Sequence, residues 1–290
     1  MKSTTKVVIL FLLLSVILSG CGINIELPFK TESKTGPTVT ETIQIPVPNL
    51  NSPLDVSISF GAGKMTLLPN PGTDLLSGTA TYNVADFKPE ITIDDYGVIL
   101  KQGNLKLNAV PTIDGSIKNE WNIAITNHPI ELTIKAGAYS GDFEFGGLAL
   151  TDLHITDGAS NTKLKFSTPN TSLMNAFRYE TGASNITMEK LGNANFQTMI
   201  FQSSAGNYSL DFSGVYQHDA SVFIETGLSR LIISVPEGVQ AEVNFEGPFS
   251  KVLTSGNWQE SGDEYILEGQ GPKLTITIET KAGTVTLKNP

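Results

Sequence analysis

A chain of 290 residues with 19 basic and 29 acidic side chains has a formal net charge of −10, a balance that disfavours nucleic acid and anionic lipid surfaces as partners. A single cysteine excludes a disulfide framework, so the folded part must be held by its core, for which this length is ample.

The chain opens with Lys2 and Lys6, then an apolar run from Val7 to Leu18 broken only by Ser15, then small residues. That is the order of an export signal, and it is shorter than the roughly 20 apolar residues of a membrane span. Cys21 follows directly. A lone cysteine can be a buried small hydrophobe, an intermolecular disulfide partner or a reactive thiol, but none of these accounts for its position. Leu18-Ser19-Gly20-Cys21 resembles the bacterial lipobox, which implies diacylglycerol on the Cys21 sulfur and cleavage just before it. Residues 1–20 are then a lipoprotein signal peptide, Cys21 is the lipid attachment site, and the remaining 270 residues carry 17 basic and 29 acidic groups, a net of −12. Two or more acyl chains make a stable anchor where one does not.

Residues 21–40, with two prolines and scattered polar residues, read as a flexible linker whose r.m.s. reach is on the order of 25 Å, or roughly 65 Å fully extended. Alternation begins at Ile43, Ile45 and Val47 and continues through "LDVSISFGAGKMTLLP", "GTATYNV", "PEITIDD" and "GVILKQG", all strand candidates. The one helical spacing is short, "TSLMNAF" at Thr171 to Phe177.

From Ile130 the chain repeats a strand, a corner, a second strand and a second corner. First corners fall at Gly137, Gly158, Gly182, Gly206 and Gly227, and second corners at Gly147, Asn170, Gly192, Gly214 and Gly238. Both series step by 21 to 24 residues, the period of a solenoid whose coils bury one another's apolar faces. Glycine and asparagine suit corners that need a positive φ. Leu132, Ile134, Phe143, Phe145, Leu153, Ile155, Leu164, Phe166, Tyr179, Ile186, Met188, Phe201, Leu210, Phe212, Ile224, Ile233 and Val235 are the expected inward positions. An irregular stretch, "EGPFSKVLTSGNWQESGDEYILEGQGP", precedes "LTITIETKAGTVTLKNP", which reads as the final coil.

Chemistry finds little purchase. His128, His154 and His218 lack zinc-type spacing, no Gly-x-Ser-x-Gly occurs, and "FGAGK" at Phe60 to Lys64 lacks the full phosphate-loop pattern and leads into a strand, so it reads as a tight turn. An exported solenoid could also be a polysaccharide lyase or hydrolase, which would need clustered acids and bases on one face. Arg178 and Arg230 are the only arginines, and Asp142, Glu144, Asp152, Asp157, Glu180, Glu189, Asp211 and Glu225 occupy different coil positions, as expected of a solvated outer face.

"VSISFGAGKMTLLP", "LLSGTATYNV", "FKPEITID", "KNEWNIAI", "LTIKAGAYSGDFEFGGLAL", "TGASNITMEKLGNANF" and "AGNYSLDFSG" together resemble the toast-rack lipoproteins of the bacterial envelope, which join an N-terminal toast-rack domain to a C-terminal region similar to LiaF-type regulators and adhesin-like domains. LiaF-type regulators carry transmembrane helices ahead of the ladder, whereas this chain has the lipidation cysteine. The resemblance implies an all-β, elongated, β-solenoid-like ladder in two contiguous regions, 41–126 and 127–290. It implies no catalytic residue, cofactor or metal site. The expected role is a lipid-anchored extracytoplasmic module that binds or senses an envelope polymer or envelope protein without catalysis. Self-association through the ladder ends, as a structural or adhesive element, is the alternative. The outward side chains expected to carry recognition include Asp142, Lys163, Asn185 and Tyr208.

Overall fold

The computed structural model describes residues 35–103 and 117–290. The export signal, Cys21 and most of the expected linker lie outside the described residues. Sixteen strands follow in chain order: β1 (Val39–Pro46), β2 (Leu54–Asn70), β3 (Asp74–Tyr82), β4 (Pro89–Ile93), β5 (Gly97–Gln102), β6 (Asn119–Thr126), β7 (Ile130–Glu144), β8 (Leu150–Lys165), β9 (Met174–Glu189), β10 (Phe196–Asp211), β11 (Ala220–Ser234), β12 (Gln240–Glu246), β13 (Phe249–Ser255), β14 (Gln259–Ser261), β15 (Glu264–Leu267) and β16 (Lys273–Lys288). Short 3-10 turns occur at Ala85–Phe87 and Leu191–Ala194, and there is no α-helix among the described residues. Thr171 to Phe177, the one short stretch with a helical spacing, is a bend running into β9. From Met174 onward its backbone is paired with β10, and from Ala176 with β8 as well.

β2, β7, β8, β9, β10, β11 and β16 lie parallel and in register, in that spatial order. Their length and their connections together dictate the architecture. β7 has 15 residues and would span roughly 50 Å if straight, yet five residues, Phe145 to Ala149, return the chain to the start of parallel β8. Five residues reach at most about 18 Å. Each long strand therefore doubles back at its middle, and its two arms face each other across the core.

The burial pattern records the bend. In β9 the inward residues are Phe177, Tyr179 and Thr181, then Ser184, Ile186 and Met188, so the parity changes between Thr181 and Ser184. The register passes from Thr181 to Ala183 and leaves Gly182 out of the ladder. The same corner position is held by Gly61, Gly137, Gly158, Gly182, Ser204, Gly227 and Lys281. Gly206 was expected in this column; it stands two residues beyond it, opposite Ser184 and Ser229, and Ser204 takes the corner. The reason for glycine also differs from the expected one. None of Gly137, Gly158, Gly182 and Gly227 has a positive φ. What they allow is close stacking: a Cβ on Gly182 would sit 2.3 Å from the carbonyl oxygen of Gly158.

At the second corners Gly147, Gly214 and Gly238 do adopt positive φ, whereas Asn170 and Gly192 do not. Asn170 instead bridges coils: its Oδ1 accepts from Leu150 N at 2.8 Å and its Nδ2 donates to the carbonyls of Leu150 and Ser172 at 2.8 Å. Asn193 links the carbonyl of Phe166 to the N–H of Val215 in the same way. A buried primary amide can satisfy a donor and an acceptor that would otherwise be stranded.

Every expected inward position is buried, each apolar side chain contributing on the order of 1.5–3 kcal/mol relative to exposure. Aromatic rings run from coil to coil, with Phe145 and Phe166 5.9 Å apart, Phe166 and Phe177 6.2 Å, and Tyr179 and Phe201 5.9 Å. Just inside the bend the core turns polar. Asp157, expected on the outer face, is only 6% exposed. It accepts hydrogen bonds from Tyr179 at 2.8 Å, from Tyr139 and Ser184 at 3.3 Å, and from Thr181. Burial, together with the Asp157 charge, pushes both tyrosine hydroxyls well above their ordinary pKa, so they remain donors.

Pairing continues across residues 126 and 127, since β2 pairs with β7 through both arms. The ends are closed by strands of other kinds. Beyond β2 one arm adds β5 and antiparallel β4, and the other adds β6, β3 and β1. At the opposite end the chain does not run in spatial order. β16, expected as the final coil, inserts between β11 and the coil formed by β12 and β13. The stretch read as irregular thus supplies β13, one half of the terminal coil, and the antiparallel β15 and β14 that cover its β12 half.

Replacing Gly182 by alanine forces a Cβ against the backbone of the preceding coil, and overpacking of this kind costs about 1–3 kcal/mol. The expected result is a lower urea midpoint with an unchanged slope; an unchanged midpoint would show that the corner column is not in contact.

Candidate binding surface

Parallel coils in register turn outward residues into columns whose successive members stand about 4.8 Å apart along the ladder. On the arm that follows the bend, one column holds Ser140, Asn161, Asn185, Asn207 and Arg230. Asn207 Nδ2 donates to Asn185 Oδ1 at 2.9 Å. The next outward column holds Asp142, Lys163, Thr187 and Ser209, and the one after it Glu144, Lys165 and Glu189. Lys163 Nζ lies 2.9 Å from Glu189 Oε1, and Lys165 Nζ 3.9 Å from Oε2. The hydrogen bond and charge of Glu189 hold the Lys163 ammonium above its ordinary pKa. Ser140, Asn161, Lys163, Thr187 and Glu189 line an open groove of about 450 Å³. It offers amides, hydroxyls, a cation and a carboxylate to a ligand lying along the ladder.

Three of the four singled-out residues, Asp142, Lys163 and Asn185, share this face. Tyr208 does not. It is 1% exposed, its ring stands 4.9 Å from Phe201, and its hydroxyl donates to the Ala205 carbonyl. Its coil neighbours Ile186 and Leu231 are inward too, so the outward residue of that coil is Asn207. Asn161 and Asn207 went unnoticed in the sequence, although "GASN" occurs at Gly158 to Asn161 and again at Gly182 to Asn185, three residues past a corner each time.

The other arm carries a cleft of about 490 Å³ near the bend, lined by Glu180, Gln202, Glu225 and Lys281 among others. Glu180 Oε1 is 3.5 Å from Arg178 and 3.6 Å from His154, and Glu225 accepts from Gln202 Nε2 at 3.0 Å. These carboxylates are partnered and open to water, unlike the desolvated acid that glycoside cleavage requires. Two more acids work on connections: Glu144 accepts from Gly146 N and Ser167 N, and Asp211 from Ser213 N. His128 and His218 bond the carbonyls of their following residues, and His154 meets Thr156 Oγ1 at 3.1 Å. Among the described residues no three His, Cys, Asp or Glu side chains gather as metal ligands.

The family profile described as the N-terminal domain of toast_rack, DUF2154, matches residues 34–188. No curated protein sequence matches the chain. A crystal structure of a "putative cell adhesion protein" from Clostridium sporogenes ATCC 15579 is 19% identical, with a TM-score of 0.47, covering 88% of this chain and 100% of that one. A "putative adhesin" from Parabacteroides merdae ATCC 43184 is 12% identical with a TM-score of 0.34, and one from Bacteroides fragilis NCTC 9343 is 10% identical with a TM-score of 0.29. Each covers 88% of this chain and 97% of its own.

One outward row is under electrostatic load. Asp55, Glu131 and Asp152 are direct neighbours on β2, β7 and β8. Partial burial, then the charges of Asp55 and Asp152, raise the Glu131 pKa. A raised folded-state value means that the folded chain binds this proton more tightly than the unfolded chain, so the penalty is absent below the unfolded pKa and appears as pH rises through the folded one. Glu131→Gln should therefore raise the urea midpoint at neutral pH. The gain should shrink as pH falls toward about 4 and as salt is added; a gain that is independent of both would exclude repulsion as the cause.

Proposed function

The chain belongs to the toast_rack family through its N-terminal domain, and from that premise we propose that it is a non-catalytic binding module, held at the outer surface of a bacterial membrane by lipid on Cys21, whose ladder recognises an envelope polymer or an envelope protein. The supporting observation is the row of in-register outward columns. Asn161, Asn185 and Asn207 repeat at the coil spacing beside the Lys163 and Glu189 groove, and a repeating surface matches a ligand that itself repeats. Affinity on such a surface is distributed, since each column contributes a few hydrogen bonds exposed to water. Catalysis instead concentrates in a few groups whose loss is not additive. The partnered, solvent-open carboxylates of the other arm fit recognition better than proton transfer.

The reading is tested by alanine substitution of Asn161, Lys163, Asn185 and Asn207, singly and together, with circular dichroism to check the fold. Single changes should each weaken capture of native envelope material severalfold, and the fourfold variant should remove it. Loss of capture through one residue alone, or polysaccharide cleavage abolished by a single substitution, would replace recognition with a localised site.

The tether is tested separately. Cys21→Ser should shift the chain from the detergent-released membrane fraction to the soluble or unprocessed fraction, and a fully processed variant that stays on the membrane would exclude lipid anchoring.

A further inference from the structure

Three of the four arm ends of the ladder finish in antiparallel strands, but on the fourth β13 stops bare: it pairs with β16 on one side, and no strand among the described residues pairs with its other edge. The two halves of this terminal coil show what the missing cover does. β12, covered by β15, buries Ala241 and Val243 to 1% and 0% exposure. β13, uncovered, leaves Val252 partly exposed and Thr254 exposed, although their partners Val285 and Leu287 belong to the core. Phe249 and Leu253 on its outward face are 81% and 42% exposed. Ser250 Oγ, on β13, is buried without a hydrogen-bond partner. An open edge with a half-covered inward row is a template for one more strand.

We propose that this edge receives residues Ile23 to Phe29 of a second copy of the chain. The segment, "INIELPF", is apolar at Ile23, Ile25, Leu27 and Phe29 and polar or proline between them, the alternation of a strand with one buried face. Its apolar row would cover Val252 and Thr254, and its other row would place Glu26 beside Lys251, the outward residue at the centre of β13. Pro28 is compatible with an outermost strand, which leaves one edge unpaired. The donor has to be another copy. The slot beyond β13 lies eleven strand spacings from β1, about 53 Å at 4.8 Å each. The ten residues from Phe29 to Val39 extend no further than about 36 Å. Each copy thus offers a segment that cannot reach its own open edge, and the contact runs from one copy to another.

The test co-expresses two full-length chains with different tags, one carrying Glu26→Cys and the other Lys251→Cys, and oxidises them in the envelope. The expected result is a disulfide-linked pair bearing both tags on a non-reducing gel, absent when Thr187→Cys on the exposed outer face replaces Lys251→Cys, and lost when Ile25→Asp and Leu27→Asp are added to the donor. Linkage no greater than with Thr187→Cys, or linkage that survives the donor substitutions, would overturn the proposal. Capture of envelope material by the outer face is read independently of this linkage.

Discussion

The fold depends on the contact between successive corners. A strand of 15 or 16 residues can face itself across a core only if its middle bends sharply, and stacked bends must bring backbone against backbone. At Gly137, Gly158, Gly182 and Gly227 the carbonyl oxygen of the preceding corner occupies or crowds the space a side chain would need. At these four positions absence of a Cβ, and not a left-handed backbone, is what the close approach calls for, whereas Ser204 and Lys281 hold the same column with side chains. Once the corners stack, the register of every coil follows, and with it the alignment of apolar residues inside and polar columns outside.

Beneath the bends of the later coils the interior is filled by Asp157 and the small hydroxyl residues Thr181, Ser184, Thr226 and Ser229, whereas Phe60 and Tyr139 take the corresponding places in the first coils. The carboxyl of Asp157 is accommodated because four hydroxyls point at its oxygens, so that its buried acceptors are satisfied. The second corners solve a different problem. There the chain crosses from one arm to the other outside any sheet, and buried asparagines satisfy the stranded backbone. Asparagine is thus structural at the second corners and solvent-facing on the outer columns, a division of roles that follows from its position in the coil.

Recognition by such a surface calls for repetition more than for concavity. The ladder supplies amides and charges at the spacing of its own strands, and every side chain there rests on a rigid, paired backbone. Its ends are less uniform: three arm ends carry antiparallel covers, whereas the β13 edge carries none among the described residues. The covered and uncovered halves of one coil differ in core burial accordingly.

Period, strand character and inward residues were legible in the sequence because alternation and glycine spacing are local properties, and every inward residue read from them is buried. The second corners were also placed correctly, though Asn170 acts by bridging coils and not by its φ. What stayed hidden depends on which coil lies beside which. Ser204 displaces Gly206 from the corner because only the register with Gly182 and Gly227 identifies the column. Asp157 and Tyr208 continue the alternation of their own arms, in phase with Leu153 and Ile155 and with Leu210 and Phe212; their inward facing was legible in the local pattern, and only the polarity of their side chains argued for the outer face. β16 takes its place between β11 and β12 because pairing in space need not follow chain order. Local pattern alone determined that this chain forms stacked, doubled strands; the order of the last coils, the residue that takes each corner and the uncovered edge were decided by long-range pairing, since each depends on a neighbour far away in sequence.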